Sequence, residues 1–236
     1  NQAEGLSSLD PAFARNQANI WSVNQLYNGL VELNLKLEVV PCIARSWQIS
    51  DDGLCYTFFL RDDVYFHDSE VFNGNPTGNR SPIKGRNVMA RDFVYSFKRI
   101  IDPVTTSTGA WIFNDKVLRN ESGEIEDTCF KAADNYTLKI YLQKPFPPFL
   151  EILAMPYAYV VPKEAIDRYG KDFRVKPIGT GPFIFNIWDE GTTMAFLKNH
   201  HYWRIRIPDA NILITDANIR MNANNTNKEI NNKIAG

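Results

Sequence analysis

The sequence predicts a mixed α+β protein, because strand-like and helix-like apolar patterns alternate along the chain. Residues 46–68 show the period-two alternation of paired strands, in which successive side chains point to opposite faces. Residues 90–101 instead carry apolar residues at three- and four-residue spacing, which is the pattern of an amphipathic helix. With 236 residues, of which 44% are hydrophobic, the chain is long enough to bury a large core in one domain or two.

The composition excludes several classes of protein. The formal net charge of −1 gives no basic surface for nucleic acid or an anionic membrane, so neither partner is expected. No apolar run approaches the roughly 20 residues of a membrane span, and no signal peptide is recognised. Cys42, Cys55 and Cys129 lack metal-binding spacing. The sequence is compatible with one disulfide among them or with three small free thiols, and we favour buried thiols.

The chain opens with a turn that is followed by a helix. Asp10 before Pro11 favours an extended or turn conformation, because the proline ring clashes with a helical predecessor. An amphipathic helix comes next, and Gly29 stands where that helix would end. The apolar face predicted for it comprises Ile20, Val23, Tyr27, Leu30 and Val31.

Two acidic turns divide residues 46–68 into strands. Residues 46–49 alternate between apolar and polar, and the turn at 51–53 ends in a glycine that suits a positive φ. The apolar face of the next strand comprises Tyr56, Phe58 and Leu60. A second turn at 62–63 leads into a further apolar segment at 64–66. Together these segments predict a small antiparallel sheet.

The remainder of the chain continues the mixed pattern. Residues 70–87 are rich in Asn, Gly and Pro and predict a loop, and the next helix is expected to stop before Asp102 and Pro103. The apolar face of that helix comprises Phe93, Val94, Phe97, Ile100 and Ile101. A strand at 136–142 and a short helix at 149–153 follow, with prolines between them. The last 26 residues hold eight Asn and predict an irregular end.

Several motifs resemble those of one known family. They are the SW of 46–47, the YTF of 56–58, the FHD of 66–68, the ARDFVYSFKR of 90–99, the KPIGTGPF of 176–183 and the NHHYW of 199–203. In these motifs the sequence is similar to family 5 of the extracytoplasmic solute-binding proteins of ABC importers. That peptide/nickel branch includes the oligopeptide- and dipeptide-binding proteins. The resemblance covers roughly residues 9–203 and reaches about half of the family's usual length.

The resemblance implies a fold of periplasmic-binding-protein-like lobes, class II and of the peptide-binding type, with an inserted β-rich domain. Residues 1–45 and 177–236 would form a partial, discontinuous first lobe, and residues 46–176 an inserted β-rich second lobe. The third lobe of the family is expected to be absent from this chain. In the family, the GTGPF step at 179–183 crosses back from the second lobe to the first.

The same resemblance implies a receptor that captures short peptides between its lobes and delivers them to an ABC permease at the inner membrane. Such a protein is periplasmic or anchored outside the bacterial inner membrane, and we expect a monomer without a cofactor. The implied ligand-binding residues are Arg15, Asn16 and Gln17 in the loop after the first turn, together with Gly109 and Trp111. Gly109 stands where relatives offer a tyrosine ring to the ligand, and Trp111 is the nearest aromatic substitute.

Simpler interpretations stay open. Residues 15–17 fit a solvated loop, and a tryptophan such as Trp111 is more often a core residue. Within the binding-protein class, the alternative ligands are a nickel chelate, a sugar or another small solute. A sensor or interaction module with the same fold is the alternative without transport.

The sequence offers no support for an enzyme. It contains no nucleophile elbow and no HExxH motif. The Gly-Thr-Gly at 179–181 lacks the third glycine, the Lys-Ser/Thr pair and the following helix of a phosphate-binding loop. His200 and His201, if adjacent on a strand, would point to opposite faces, so a shared metal ion is not expected. We therefore predict a binding protein.

Overall fold

The computed structural model describes residues 5–72, 85–189, 193–206 and 220–222. The strands are β1 (Val31–Leu33), β2 (Val39–Pro41), β3 (Ala44–Ile49), β4 (Cys55–Leu60), β5 (Phe130–Ala132), β6 (Thr137–Tyr141), β7 (Phe183–Asp189), β8 (Thr193–Lys198) and β9 (Arg220–Asn222). The α-helices are α1 (Gln17–Leu26), α2 (Ala90–Ile101), α3 (Trp111–Asn114), α4 (Phe149–Leu153) and α5 (Lys163–Tyr169). Short 3₁₀ turns lie at Pro11–Phe13, Glu70–Phe72, Asp127–Cys129, Pro156–Ala158, Gly170–Val175 and Trp203–Arg206.

The antiparallel sheet predicted from residues 46–68 is confirmed, and strands from later in the chain extend it. Four strands lie in the order β3-β4-β6-β5, and all neighbours are antiparallel. At the β3–β4 turn, the Asp52 carboxylate accepts the Leu54 N–H at 3.0 Å, and Gly53 adopts a φ of 70°. The buried face of β4 comprises Tyr56, Phe58 and Leu60, as the alternation predicts.

The predicted strand continuation at 64–66 is wrong. Tyr65 makes only an isolated bridge, to Asn87. The Asn87 side-chain amide donates to the backbone oxygens of Asp62 and Val64, at 2.7 and 3.1 Å. A side chain therefore satisfies carbonyl groups that a neighbouring strand would otherwise pair.

Helix α2 lies against the four-stranded sheet through its aromatic residues. Phe97 is fully buried, and its ring lies 5.3 Å from Phe130 of β5 and 4.8 Å from Phe113 of α3, between ring centroids. The predicted apolar face is confirmed at its centre, whereas Val94 and Ile101 at its margins are only half-buried. At 12 residues α2 is the longest helix described, and none of the helices in the described residues has the length and apolarity needed to cross a membrane.

A buried arginine ties α2 to α5. The Arg86 guanidinium donates to both Asp92 oxygens, at 2.8 and 2.7 Å, and to both Glu164 oxygens, at 2.6 and 2.8 Å. The same Asp92 carboxylate accepts the Met89 N–H at 2.8 Å, which caps the start of α2. Two carboxylates around one guanidinium offset the free-energy cost of burying its positive charge in a medium of low dielectric constant.

Helix α1 ends at Leu26 and not near Gly29, so its predicted extent is wrong. The Leu26 carbonyl lies where the helix stops, and it accepts the Gly181 N–H at 2.8 Å. Leu30 and Val31 are buried as expected, but they lead into β1 and do not lie on the helix. Their three- and four-residue spacing therefore reflects burial in two different elements.

The second sheet lies in the C-terminal part of the described chain. Its order is β7-β8-β9, antiparallel throughout, with a register shift between Phe185 and Ile187. Strand β9 lies inside the stretch predicted to be irregular, so that prediction is wrong at residues 220–222. The rest of that stretch, and residues 73–84 of the predicted loop, lie outside the described residues.

Candidate binding site

Three segments from distant parts of the sequence meet beside the predicted ligand residues. The turn at Pro11–Phe13 lies against the turn at Pro156–Ala158. The Ser107 hydroxyl donates to the Ala12 carbonyl at 2.7 Å and accepts the Gly109 N–H at 3.0 Å. One hydroxyl thus fixes the backbone that carries Gly109 relative to the first turn of the chain.

A buried ion pair holds the first turn in place. The Arg99 guanidinium of α2 donates to Asp10 Oδ1 at 3.0 Å, and the same oxygen accepts the Ala12 N–H at 3.0 Å. Burial alone would lower the pKa of Arg99, but the hydrogen bond and charge of Asp10 raise it on balance. Because Asp10 and Arg99 are 4% and 13% exposed at their side chains, the turn is anchored by charges that water screens little.

The loop residues predicted to contact ligand occupy the start of α1. Arg15 and Gln17 are exposed, and Asn16 is half-buried. The Asn16 side-chain oxygen accepts the Asn19 N–H at 2.9 Å and so caps the helix. Because Asn16 is half-buried and its side chain caps the helix, Arg15 and Gln17 are the more accessible side chains of the three.

The two other predicted site residues lie in the segment that ends at α3. Trp111, its first residue, is 47% exposed, so the core interpretation of this ring is wrong. The Lys116 ammonium donates to the Trp111 carbonyl at 2.9 Å and lies 5.6 Å from the centre of the indole ring. Gly109 is buried, because the ring of Tyr157 lies directly on it.

The Gly-Thr-Gly segment at 179–181, here called the crossover, is clamped by the buried side chain of His67, which stands in the sequence only as part of the FHD motif. Gly179 N–H donates to His67 Nδ1 at 3.3 Å, and His67 Nε2 lies 3.0 Å from the Gly181 carbonyl oxygen. The first bond requires an unprotonated Nδ1, so Nε2 carries the proton and donates it to Gly181. Burial lowers the pKa of His67 to about 4, against the opposing effect of the Gly181 hydrogen bond.

The crossover glycines allow a close backbone approach and adopt no left-handed conformation. A Cβ atom at Gly179 would lie 1.9 Å from the Leu26 carbonyl oxygen, and one at Gly181 would lie 2.5 Å from the Gln25 carbonyl oxygen. Glycine is needed at both positions because any side chain would collide with the end of α1. Thr180 between them accepts the Asn28 N–H at 3.1 Å.

The histidines outside the crossover and the three cysteines form no metal site within the described residues. Within the described ranges, no group of three or more His, Cys, Asp or Glu side chains is arranged to hold a metal ion. His200 and His201 lie in the turn after β8 and not on a strand. Cys42, Cys55 and Cys129 are all free thiols.

The family profile described as bacterial extracellular solute-binding proteins, family 5 Middle, matches residues 38–233 of this chain. The chain belongs to this family. It is 34% identical over 206 residues to the periplasmic murein peptide-binding protein MppA of Escherichia coli, covering 84% of this chain and 35% of that protein. It is 33% identical over 204 residues to heme-binding protein A of Haemophilus influenzae, covering 82% of this chain and 35% of that protein.

A solved structure shares the fold. The ABC transporter-associated periplasmic binding protein DppA from Helicobacter pylori, in complex with the peptide STSA, matches with a TM-score of 0.69 and 29% identity, covering 85% of this chain and 38% of that one. The predicted fold class and family are confirmed. The chain spans about a third of the length of these relatives, and not half as the motifs suggest.

Proposed function

We propose that this chain is part of the substrate-binding component of an ABC importer, which captures short peptides and delivers them to a membrane permease. The observation that carries the proposal is the junction of residues 11–13, 107–109 and 156–158, because the half-exposed Trp111 and the loop at 15–17 both follow directly on segments that this junction joins. The peptide named for MppA and the peptide bound to DppA favour peptides over other solutes.

The proposed architecture has two lobes. Residues 1–45 and 177–236 would form the first lobe, and residues 46–176 the second. The contact of α1 with β7 supports this division, because it joins the two separated parts of the first lobe. The clamp between His67 and the crossover glycines would then lie where the chain passes between lobes.

The proposed ligand contacts comprise Arg15, Asn16, Gln17, Gly109 and Trp111. A guanidinium and an amide offer hydrogen-bond donors to peptide carbonyl or carboxylate oxygens. An exposed indole offers a flat apolar surface that tolerates many side chains. Such a combination suits a receptor that binds through the peptide main chain and admits varied side chains.

We further propose a location outside the bacterial inner membrane, in the periplasm or anchored there, with a permease as partner. The periplasmic relatives support this location. Binding without catalysis is proposed on the same basis, since the family and these relatives are named for binding. The protein is proposed to act as a monomer.

Native mass spectrometry of this chain with competing solutes tests the proposal. The mixture would hold di- to pentapeptides, a disaccharide, a nickel–histidine chelate and haem at equal concentrations. We expect peptide adducts to predominate, and we expect Trp111→Ala to reduce them. Leu35→Ala is the matched control, because Leu35 is a fully exposed apolar residue in the β1–β2 connection.

Each alternative gives a different spectrum. If only haem, the chelate or the sugar forms adducts, the ligand of this chain belongs to that solute class and is not a peptide. A chain that retains none of the four would contradict solute capture by these residues and would favour the sensor or interaction module. If Trp111→Ala and Leu35→Ala lose bound peptide to the same extent, Trp111 is not a ligand contact.

A further inference from the structure

Tyr157 occupies the space that a side chain at position 109 would need. A Cβ atom built on Gly109 would lie 2.3, 2.4 and 2.8 Å from three carbon atoms of Tyr157. Real Cβ atoms do not approach other atoms so closely, and the colliding atoms include the Tyr157 Cβ, which cannot swing away. The Tyr157 ring therefore packs directly on the backbone of Gly109.

The hydroxyl of Tyr157 is unpaired among the described residues, although most of the side chain is buried. The side chain is 7% exposed, yet its hydroxyl makes no hydrogen bond to any residue in the described part of the chain. The neighbouring Tyr159 differs, because its hydroxyl donates to Asn24 Oδ1 at 2.9 Å. Among the described residues, the buried side-chain polar atoms without a partner belong to Tyr27, Asp63 and Trp203, so the Tyr157 hydroxyl is not one of them and its oxygen reaches solvent. A ligand can therefore reach this hydroxyl at the end of an otherwise buried ring.

The ring lies at the junction of the proposed site. Its segment, Pro156–Ala158, packs against the turn at Pro11–Phe13, and Ser107 joins that turn to Gly109. Trp111, two residues along the chain from Gly109, is 47% exposed. A rigid phenol and an exposed indole therefore flank the same short backbone segment.

We propose that Tyr157 is a ligand-contacting, specificity-determining residue of this site, and that Gly109 is the residue that positions it. The inference rests on the proposed capture of peptides. The hydroxyl donates to a main-chain carbonyl oxygen of the peptide, and the ring edge limits the size of the adjacent peptide side chain. Packing on Gly109 fixes the ring before the ligand arrives, so little rotamer entropy is lost on binding.

Titration of the ¹⁵N-labelled chain with trialanine, followed by amide chemical shifts, tests the inference. Tyr157→Phe keeps the ring and removes only the hydroxyl. We expect its dissociation constant to rise about 3- to 10-fold, which is the usual net effect of one hydrogen bond. Gly109→Ala displaces the ring and is expected to weaken binding at least as much. Tyr169→Phe, in α5, is the matched control and is expected to bind as the unmodified chain does.

The outcomes separate this inference from the function on which it rests. If the unmodified chain shows no saturable shifts with trialanine, the proposed function fails and the inference falls with it. If the unmodified chain binds and Tyr157→Phe binds equally well, the inference alone is overturned, whatever Gly109→Ala does. Melting temperatures of Tyr157→Phe and the unmodified chain should agree within a few degrees, which excludes unfolding as the cause of a loss.

Discussion

Mildly acidic pH should destabilise the fold through His67, because the unfolded chain binds a proton at this residue more readily than the folded protein does. Its ring accepts the Gly179 N–H and donates to the Gly181 carbonyl, which only the neutral imidazole can do together. Burial lowers the pKa of His67 to about 4, whereas the unfolded chain retains the usual 6.5. A depressed pKa in the folded state adds stability that is fully present above about pH 6.5 and is lost as the pH falls towards 4.

The size of the effect follows from the two pKa values. Their difference corresponds to about 3 kcal/mol when the pH lies below both, and to about 2 kcal/mol at pH 5. Urea unfolding of the chain and of His67→Gln, at pH 7.5 and at pH 5.0, measures it. The variant should be less stable at pH 7.5, and the gap between the two proteins should narrow by about 2 kcal/mol at pH 5.0.

The comparison with His67→Gln isolates one group. Carboxylates that titrate in the same range are present in both proteins, so their effects cancel from the difference. An equal stability gap at both pH values would refute the neutral, buried imidazole and the clamp derived from it. A gap that widens at pH 5.0 would reverse the sign of the linkage and refute it as well.

Three further changes test the packing around the site. Gly179→Ala should lower the free energy of unfolding by about 3 kcal/mol, because its Cβ would lie 1.9 Å from a carbonyl oxygen, whereas Gly5→Ala meets nothing within 4 Å and should have little effect; equal urea midpoints would contradict this. Arg99→Gln leaves a buried carboxylate unpaired and should cost about 3–5 kcal/mol, while Lys98→Gln on the same helix breaks only an exposed pair and should stay close to the unmodified chain in thermal unfolding. Burial raises the pKa of the Cys42 thiol to about 12, so iodoacetamide at pH 8 should leave it unmodified in the folded protein and alkylate it in urea; rapid alkylation in the folded state, seen by peptide mapping, would contradict its burial.

The local parts of the fold are predictable from the sequence because their determinants are neighbours in the chain. The β3–β4 hairpin needs only alternation and a turn glycine, and Gly53 does adopt a positive φ. The end of α1 depends instead on the crossover, since Asn28 donates to Thr180, which lies 152 positions away. No periodicity within residues 17–31 carries that information.

The candidate site is predictable only in part for the same reason. Resemblance to the family points to the loop at 15–17 and to residues 109–111, and the Ser107 hydroxyl joins Gly109 to Ala12, three residues before that loop. Tyr157 cannot be predicted as a site residue from the sequence. The glycine at 109 shows that a side chain is absent there, but it does not show which ring covers the position. His67 carries a signal in its motif, but its partners are 112 and 114 positions away.

The most direct test of peptide capture is a residue-resolved map of where a peptide binds. Amide shifts of the ¹⁵N-labelled chain would be recorded as trialanine is added to millimolar concentration. The account predicts saturable shifts concentrated at residues 12–17, 107–111 and 156–159. Saturable shifts confined to other parts of the chain, or none at all, would contradict it.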